Sequence, residues 1–169
     1  MECVSCLDPK AKLECGLCGA SVCKSCAQFM DDDAFAFLSP KPTSLAHDTY
    51  CPGCYDREVA TALAEYEAKL ARARELPLYL KKQSRETKFV VRKADPIAVK
   101  ECPDHDETLL RLAFQALEMG YNALVDVQLH STKIRPGNYQ TTIWDGVGIP
   151  VNLDPERMPK DRAFWDNPN

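Results

Sequence analysis

The sequence predicts an α+β protein in which a small cysteine-rich segment is joined by a connecting helix to a β-α-β-β domain with an antiparallel sheet. Two observations carry this prediction. Eight of the nine cysteines fall within the first 54 of 169 residues. Beyond them, apolar residues first recur at helical spacing and then alternate as they do in strands. The sequence therefore divides at about residue 55.

Composition and charge exclude several classes of protein. Hydrophobic residues make up 45% of the chain and charged residues 27%, as in an ordinary globular protein. The net charge of −4 makes nucleic acid and anionic lipid unfavourable partners. No apolar run approaches the roughly 18 residues that a membrane-spanning helix needs, and no signal peptide is visible at the N-terminus. We therefore expect a cytoplasmic protein.

The first eight cysteines form four pairs with two residues between the members of each pair: Cys3/Cys6, Cys15/Cys18, Cys23/Cys26 and Cys51/Cys54. Two such pairs can complete a closed, tetrahedral four-thiolate site for Zn²⁺. Disulfides would need an oxidising compartment, and a redox-active Cys-x2-Cys motif usually occurs singly. The spacing therefore predicts two zinc ions, with disulfides and iron–sulfur clusters as the alternatives. Because four thiolates leave no open position, both sites are expected to be structural.

The stretch from Cys15 to Cys26 has four residues between its two pairs and a glycine after its second cysteine. It resembles the centre of FYVE-type zinc fingers, and Cys51-Pro52-Gly53-Cys54 before a helix is similar to the end of those fingers. The resemblance covers residues 3–70. It implies a cross-brace, in which Cys3, Cys6, Cys23 and Cys26 bind the first zinc and Cys15, Cys18, Cys51 and Cys54 bind the second. Sequential pairing along the chain stays open as the alternative.

The segment departs from the FYVE pattern where those domains bind lipid. FYVE domains carry a basic, histidine-containing run before their third cysteine, whereas residues 11–14 read Ala-Lys-Leu-Glu. Residues 1–54 contain four Lys and seven Asp or Glu, and two zinc-thiolate sites lower the formal charge of −3 to −7. An anionic membrane repels such a module. We therefore expect no binding to phosphatidylinositol-3-phosphate vesicles, and a protein partner instead.

Two other functions are open for the finger. Cys51-Pro52-Gly53-Cys54 is also similar to the last pair of many RING fingers, with Arg57 just after it, so a ubiquitin-ligase-type finger is an alternative. A metal-responsive or redox protein, in which zinc release is the signal, is another. The apolar residues 34–38 either dock a partner or form the core of the finger, and we favour the core.

The connecting helix is predicted over residues 56–76, where Val59, Leu63, Tyr66, Leu70 and Ala73 follow helical spacing until Pro77. Residues 77–87 are polar and basic and indicate a linker. A small α+β domain is predicted over residues 88–153, followed by a tail at residues 154–169 that carries Phe164 and Trp165.

The second domain begins with a strand candidate at Phe89–Val91. Asp104 caps a helix that ends at Gly120. A strand over residues 123–129 places Val125, Val127 and Leu129 on one face. A turn at residues 135–138 leads to a longer strand, in which Gly146 and Gly148 indicate a bulge or a close backbone approach. Because three strands and one helix bury little, we expect another strand or a partner subunit to complete the core.

Residues 119–127 resemble the helix-to-strand junction of the bacterial YbjQ-type family, whose members are described as heavy-metal-binding domains. Residues 144–151 are similar to the last strand of that family. The resemblance covers about residues 88–152. It implies an α+β fold that often assembles as a ring, so a homo-oligomer through this domain is expected. No ligand residue is carried over from it.

Cys102 and His105 are the remaining candidates for a site, because Cys-x2-His can be half of a zinc site or a nucleophile with its base. The ordinary interpretation is that Asp104 between them caps the helix and that neither residue binds metal. No phosphate-binding loop or acid–base constellation is visible. The sequence thus favours a non-enzymatic adaptor, in which a two-zinc finger presents a protein-binding surface and the second domain serves assembly or partner binding.

Overall fold

The computed structural model describes residues 1–82, 90–154 and 156, and it confirms the α+β class. The chain divides into two compact units, Met1–Ala68 and Lys69–Asn169. None of the helices in the described part of the chain is long and apolar enough to cross a membrane. The first unit contains all eight paired cysteines.

Short strands hold the loops of the first unit together. Strand β1 (Leu13–Glu14) pairs with β2 (Ser21–Val22), and β3 (Gln28–Phe29) pairs with β4 (Thr49–Tyr50), both antiparallel. A 3-10 turn at Thr43–Leu45 precedes β4. Isolated two-stranded ribbons are marginal in water. Strands of two residues therefore need further links to stay folded.

The connecting helix begins inside the last cysteine pair, at Pro52, which is earlier than the sequence predicts. It comprises α1 (Pro52–Cys54), a π-helical turn at Tyr55–Val59 and α2 (Ala60–Arg74), and it ends before Pro77. Proline suits the first helical turn because its missing N–H has no partner to lose there. The last pair of cysteines is thus fixed by a helix N-terminus.

Three of the apolar residues 34–38, namely Ala34, Phe35 and Leu38, belong to the core of the first unit, as favoured above, while Ala36 is exposed. Phe35 is buried, and the partly buried Ala34 and Leu38 pack against the same cluster. The ring of Phe35 lies 5.2 Å from the ring of Tyr66 on α2, centroid to centroid. These three side chains therefore contribute to the core of the finger.

A five-stranded sheet forms the second unit, with strands β5 (Leu78–Leu80), β6 (Val90–Lys93), β7 (Ile97–Cys102), β8 (Ala123–Ile134) and β9 (Thr141–Leu153) and helix α3 (His105–Glu118). Strands β8 and β9 form a long antiparallel hairpin. β5 pairs with β8, while β6 and β7 pair with different parts of β9. The long hairpin is therefore the centre of the sheet.

Two strands were not predicted, and they change the character of the sheet. β5 lies in residues that the sequence assigns to the linker, and it runs parallel to β8, so the sheet is mixed and not wholly antiparallel. β7 is an edge strand that buries Val99 and Cys102, and the two exposed charged residues between them, Lys100 and Glu101, break the alternation that would predict a strand. The extra strands supply the additional core that three strands lacked. Phe89, residues 83–87 of the predicted linker and nearly all of the tail, with Phe164 and Trp165, lie outside the described residues.

Both predicted caps of α3 are confirmed. Asp104 Oδ1 accepts a hydrogen bond of 2.7 Å from the N–H of Glu107. Gly120 has φ +82°, and the N–H of Tyr121 donates to the carbonyl of Ala116 at 2.9 Å. This is the Schellman arrangement, which satisfies carbonyls at the helix end.

A β-bulge at Asp126 corrects the predicted face of β8. Val125 pairs with Ile149 and Gln128 with Val147, so β8 carries one extra residue, and Asp126 has φ +52°. Val125 therefore packs with Val151 and Leu153 on the opposite face from Val127 and Leu129, which lie next to Gly148 and Gly146. A bulge shifts the alternation of side chains by one residue. The prediction that all three side chains share a face is wrong for this reason.

Candidate metal centre

The eight paired cysteines form two groups of four, and in each group the sulfur atoms lie within 4.8 Å of one another. The first group contains Cys3, Cys6, Cys23 and Cys26, and the second contains Cys15, Cys18, Cys51 and Cys54. Pair one thus joins pair three, and pair two joins pair four. This arrangement is the cross-brace, so the sequential alternative is wrong.

The hairpin of β1 and β2 explains why the pairs interleave. Cys15 follows β1 and Cys23 follows β2. Because the two strands are antiparallel, the residues that follow them lie at opposite ends of the ladder. Cysteine pairs that are neighbours in the sequence therefore enter different groups.

Two backbone hydrogen bonds bring the other pairs to this hairpin. The N–H of Val4 donates to the carbonyl of Ser21 at 2.9 Å, which holds the first pair beside β2. The N–H of Gly16 donates to the carbonyl of Thr49 at 2.9 Å, which holds β4 and the following Cys51 beside the second pair. The fold thus assembles both groups through main-chain contacts.

The sulfur distances fit a metal ion and exclude disulfides. Cys6 Sγ lies 3.6 Å from Cys23 Sγ, and Cys18 Sγ lies 3.9 Å from Cys51 Sγ. With a Zn–S bond of about 2.3 Å, a tetrahedron has an S···S edge of about 3.8 Å, whereas a disulfide bond is about 2.05 Å long. All nine cysteines are free. Each group of four is therefore positioned to bind one metal ion, consistent with two zinc ions.

Backbone N–H groups stabilise thiolates within each group. The N–H of Cys23 donates to Cys3 Sγ at 3.3 Å, and this bond with the N–H of Cys6 lowers the pKa of Cys3 to about 6. Burial raises the pKa of Cys15, but the N–H groups of Cys51, Cys18 and Leu17 outweigh it and lower the value to about 6. These N–H groups thus favour the thiolate forms of Cys3 and Cys15.

Other thiols in the same groups resist ionisation. Burial and then the thiols of Cys51 and Cys18 raise the pKa of Cys54 to about 12. The N–H of Asp8 lowers the pKa of Cys6, but neighbouring thiols raise it more, to about 12. Negative charges this close repel each other. Four thiolates therefore need a divalent cation, and binding it releases protons.

The second group also depends on residues that the sequence left without a role. The imidazole of His47 packs against Gly16, between Cys15 and Cys18, and edge-on against the ring of Tyr50 at 5.9 Å. Tyr50 is buried, and its hydroxyl donates to the carbonyl of Ser44 at 2.9 Å. The signal in the sequence is the glycine inside the second pair, which leaves room for the ring.

Cys102 and His105 do not join a metal-binding group among the described residues. Cys102 is buried, with its sulfur 3.8 Å from the carbonyl oxygen of Lys100. His105 Nδ1 lies 3.0 Å from Asp106 Oδ1, and its ring meets Trp144 edge-on. Asp104 between them caps α3, as predicted. The contacts of these residues are those of an ordinary helix start.

Comparisons with the models of known families, with curated proteins and with solved structures found no match. The resemblances to FYVE-type and RING-type fingers and to the YbjQ-type family therefore stay predictions. The metal centre rests on the geometry of the eight cysteines alone.

Proposed function

We propose that this protein is a non-enzymatic zinc-binding adaptor. Its finger presents a protein-binding surface, and its second unit serves assembly or partner binding. The observation that carries the proposal is that all eight paired cysteines are used in two closed groups of four. A four-thiolate site leaves no position for a substrate, and its metal contributes folding free energy. The metal ions would therefore act by keeping the protein-binding surface of the finger rigid.

Leu7 supports a docking role for the first cysteine loop. Its side chain is 70% exposed, and its backbone has φ +62°. The left-handed conformation costs a non-glycine residue about 1–2 kcal/mol, and an exposed leucine gains nothing from burial. Such outliers concentrate at functional sites. We infer that Leu7 is kept for a contact with another protein.

Val4 extends this surface, and the metal site would hold it in place. Val4 is 55% exposed, and its N–H is bonded to Ser21 on β2. The N–H of Leu7 donates to the carbonyl of Cys3 at 2.9 Å, which closes the loop around the first pair. Apolar side chains on a preorganised loop bind with little loss of entropy.

The charge of the first unit supports a basic or neutral partner. Residues 1–68 carry eleven Asp or Glu against five Lys or Arg, a formal charge of −6 before the thiolates are counted. Such a field slows the approach of polyanions and favours cations. The proposed partner is therefore a protein, while phosphoinositide membranes and nucleic acids are disfavoured.

The test compares two variants of the full chain. Val4→Asn with Leu7→Asn removes the apolar surface, and asparagine tolerates the left-handed backbone at residue 7. Val91→Asn is the control, because Val91 is 77% exposed in the second unit. A partner captured by the wild-type chain is purified and its binding reconstituted. Saturable binding that only the double variant loses supports the proposal, and binding that the double variant keeps contradicts it.

A ubiquitin-ligase-type finger is the second candidate. The observation that favours it is the cross-brace, together with Arg57, three residues after Cys54 of the last pair. Arg57 is exposed, forms an ion pair with Glu58, and approaches Cys54 Sγ at 3.8 Å. Autoubiquitination with a panel of conjugating enzymes separates the two candidates. Autoubiquitination that requires bound zinc would establish the ligase. Absence of autoubiquitination with every conjugating enzyme tested would exclude it.

A further inference from the structure

One cysteine in each metal-binding group differs from the other three in exposure. Cys6 is exposed in the first group and Cys18 in the second. The other ligands are buried, except Cys26, which is half-buried. Oxidation of cysteine follows thiolate character and exposure. With a metal ion bound, all four sulfur atoms of a group are thiolates, so a small oxidant in solution meets the exposed thiolate of each group first.

Each exposed sulfur also has a buried partner across the brace. Cys6 Sγ lies 3.6 Å from Cys23 Sγ, and Cys18 Sγ lies 3.9 Å from Cys51 Sγ. Both partners are the first cysteine of the pair that completes the group. A disulfide between either couple would link the same two chain segments that the group of four already links, so it would form without a large rearrangement of the fold.

We propose that Cys6 and Cys18 are the sites at which a peroxide opens the two metal centres, forming the disulfides Cys6–Cys23 and Cys18–Cys51. This inference rests on the zinc-bound finger of the proposed function and adds a redox sensitivity to it. It also names the cysteines that would act if the protein is metal-responsive or redox-responsive, with zinc release as its signal.

Each disulfide forms in two steps, and one molecule of peroxide is the oxidant. The thiolate of Cys6 attacks one peroxide oxygen, the O–O bond breaks, and a sulfenic acid and hydroxide form. The thiolate of Cys23 then attacks the sulfenic sulfur, the S–S bond forms, and a second hydroxide leaves. Two thiolates have lost two electrons and the peroxide has gained them. The hydroxides take up two protons to give water.

Metal release follows from the ligand count. After one disulfide per group, the first group retains the thiolates of Cys3 and Cys26, and the second retains those of Cys15 and Cys54. Two thiolates do not complete a tetrahedral site. The oxidised finger would keep its cross-links while losing both ions, so a thiol reductant and added zinc should restore it.

The experiment uses the full chain carrying Cys102→Ala, because Cys102 is the ninth cysteine and belongs to neither group. The zinc content is first measured by mass spectrometry. Dilute hydrogen peroxide is then added with a chromophoric chelator, the reaction is stopped with N-ethylmaleimide, and disulfides are assigned by peptide fragmentation. Dimedone in a parallel sample traps sulfenic acids.

The expected result is release of both zinc ions, with dimedone on Cys6 and Cys18 and disulfides Cys6–Cys23 and Cys18–Cys51. Disulfides within the pairs, such as Cys3–Cys6, would overturn the assignment. A peptide with a free thiol in the same tube reports that the peroxide is active. If that thiol oxidises while zinc stays bound to the protein, the redox sensitivity is overturned, but the proposed adaptor function is not. A chain that contains no zinc at the start would overturn both proposals.

Discussion

The imidazole ring of His47 lies directly against the α-carbon of Gly16. A Cβ at residue 16 would come within 2.6 Å of His47 Cβ and Cγ, closer than real Cβ contacts. Gly16 also donates the hydrogen bond that holds β4 beside the second cysteine pair. The second metal centre therefore depends on the absence of a side chain at this position.

We predict that Gly16→Ala weakens the second metal site. The added methyl must displace His47, and overpacking of this kind costs about 1–3 kcal/mol. Titration with Co²⁺, whose visible absorption reports tetrahedral thiolate binding, should show one site of lowered affinity. Gly53→Ala is the matched control, since Gly53 lies inside a cysteine pair of the same group but a Cβ added there would meet no atom within 4 Å. Equal effects of the two variants would refute the role of His47.

Removal of zinc should unfold the first unit and spare the second. The strands of the first unit are two residues long, whereas the second unit has a helix with Leu112, Ala113 and Phe114 buried. Residues 1–68 contain no tryptophan, and Trp144 lies on β9 of the second unit. The thermal transition seen by tryptophan fluorescence should therefore stay in place after chelation, while amide signals from residues 1–68 lose their dispersion. A parallel shift of the tryptophan transition would count against separate units.

Gly146→Ala should destabilise the second unit. A Cβ at residue 146 would lie 2.7 Å from Thr108 Cγ2 and 2.9 Å from Leu112 Cδ1, so it would push α3 away from the sheet. Thr108 is fully buried and bonded through its hydroxyl to the carbonyl of Asp104, which limits its movement. We expect a loss of about 1–3 kcal/mol in the free energy of unfolding, measured with urea.

Gly148→Ala serves as the comparison on the same strand and face. Its Cβ would meet Leu124 Cδ2 at 3.2 Å, the far end of a flexible side chain. The loss should therefore be smaller than for Gly146→Ala. The reverse order would mean that α3 does not set the packing at Gly146.

Asp104→Ala should cost the second unit about 1 kcal/mol through loss of its N-cap. The carboxylate satisfies the N–H of Glu107, which is otherwise unpaired at the start of α3. Chemical denaturation followed by tryptophan fluorescence measures the change. Asp106→Ala, two residues further along and exposed, removes the same charge without the cap and should have a smaller effect.

Cys102→Ala combined with His105→Ala should leave the zinc content unchanged. Neither residue joins a group of metal-ligating side chains within the described ranges, and their contacts are with Lys100, Asp106 and Trp144. Metal analysis of the purified variant tests this directly. The loss of one zinc ion per chain in this variant would instead support a metal site at Cys102 and His105.

Features that depend on neighbouring residues were predictable from the sequence. Cysteines two residues apart predict thiolate sites wherever the chain folds, because the short turn between them is local. The caps at Asp104 and Gly120 follow the same logic and are confirmed, since a cap satisfies backbone groups within a few residues of itself.

The way in which these local features combine depends on contacts between distant parts of the chain. The cross-brace results from an antiparallel hairpin that sends Cys15 and Cys23 to opposite ends, and spacing alone allowed sequential pairing as well. The three residues of β5 form a strand because β8 offers them an edge. The bulge at Asp126 sets which residues of β8 face α3. Each outcome depends on a partner distant in the chain, and a pattern read along one segment contains no information about that partner.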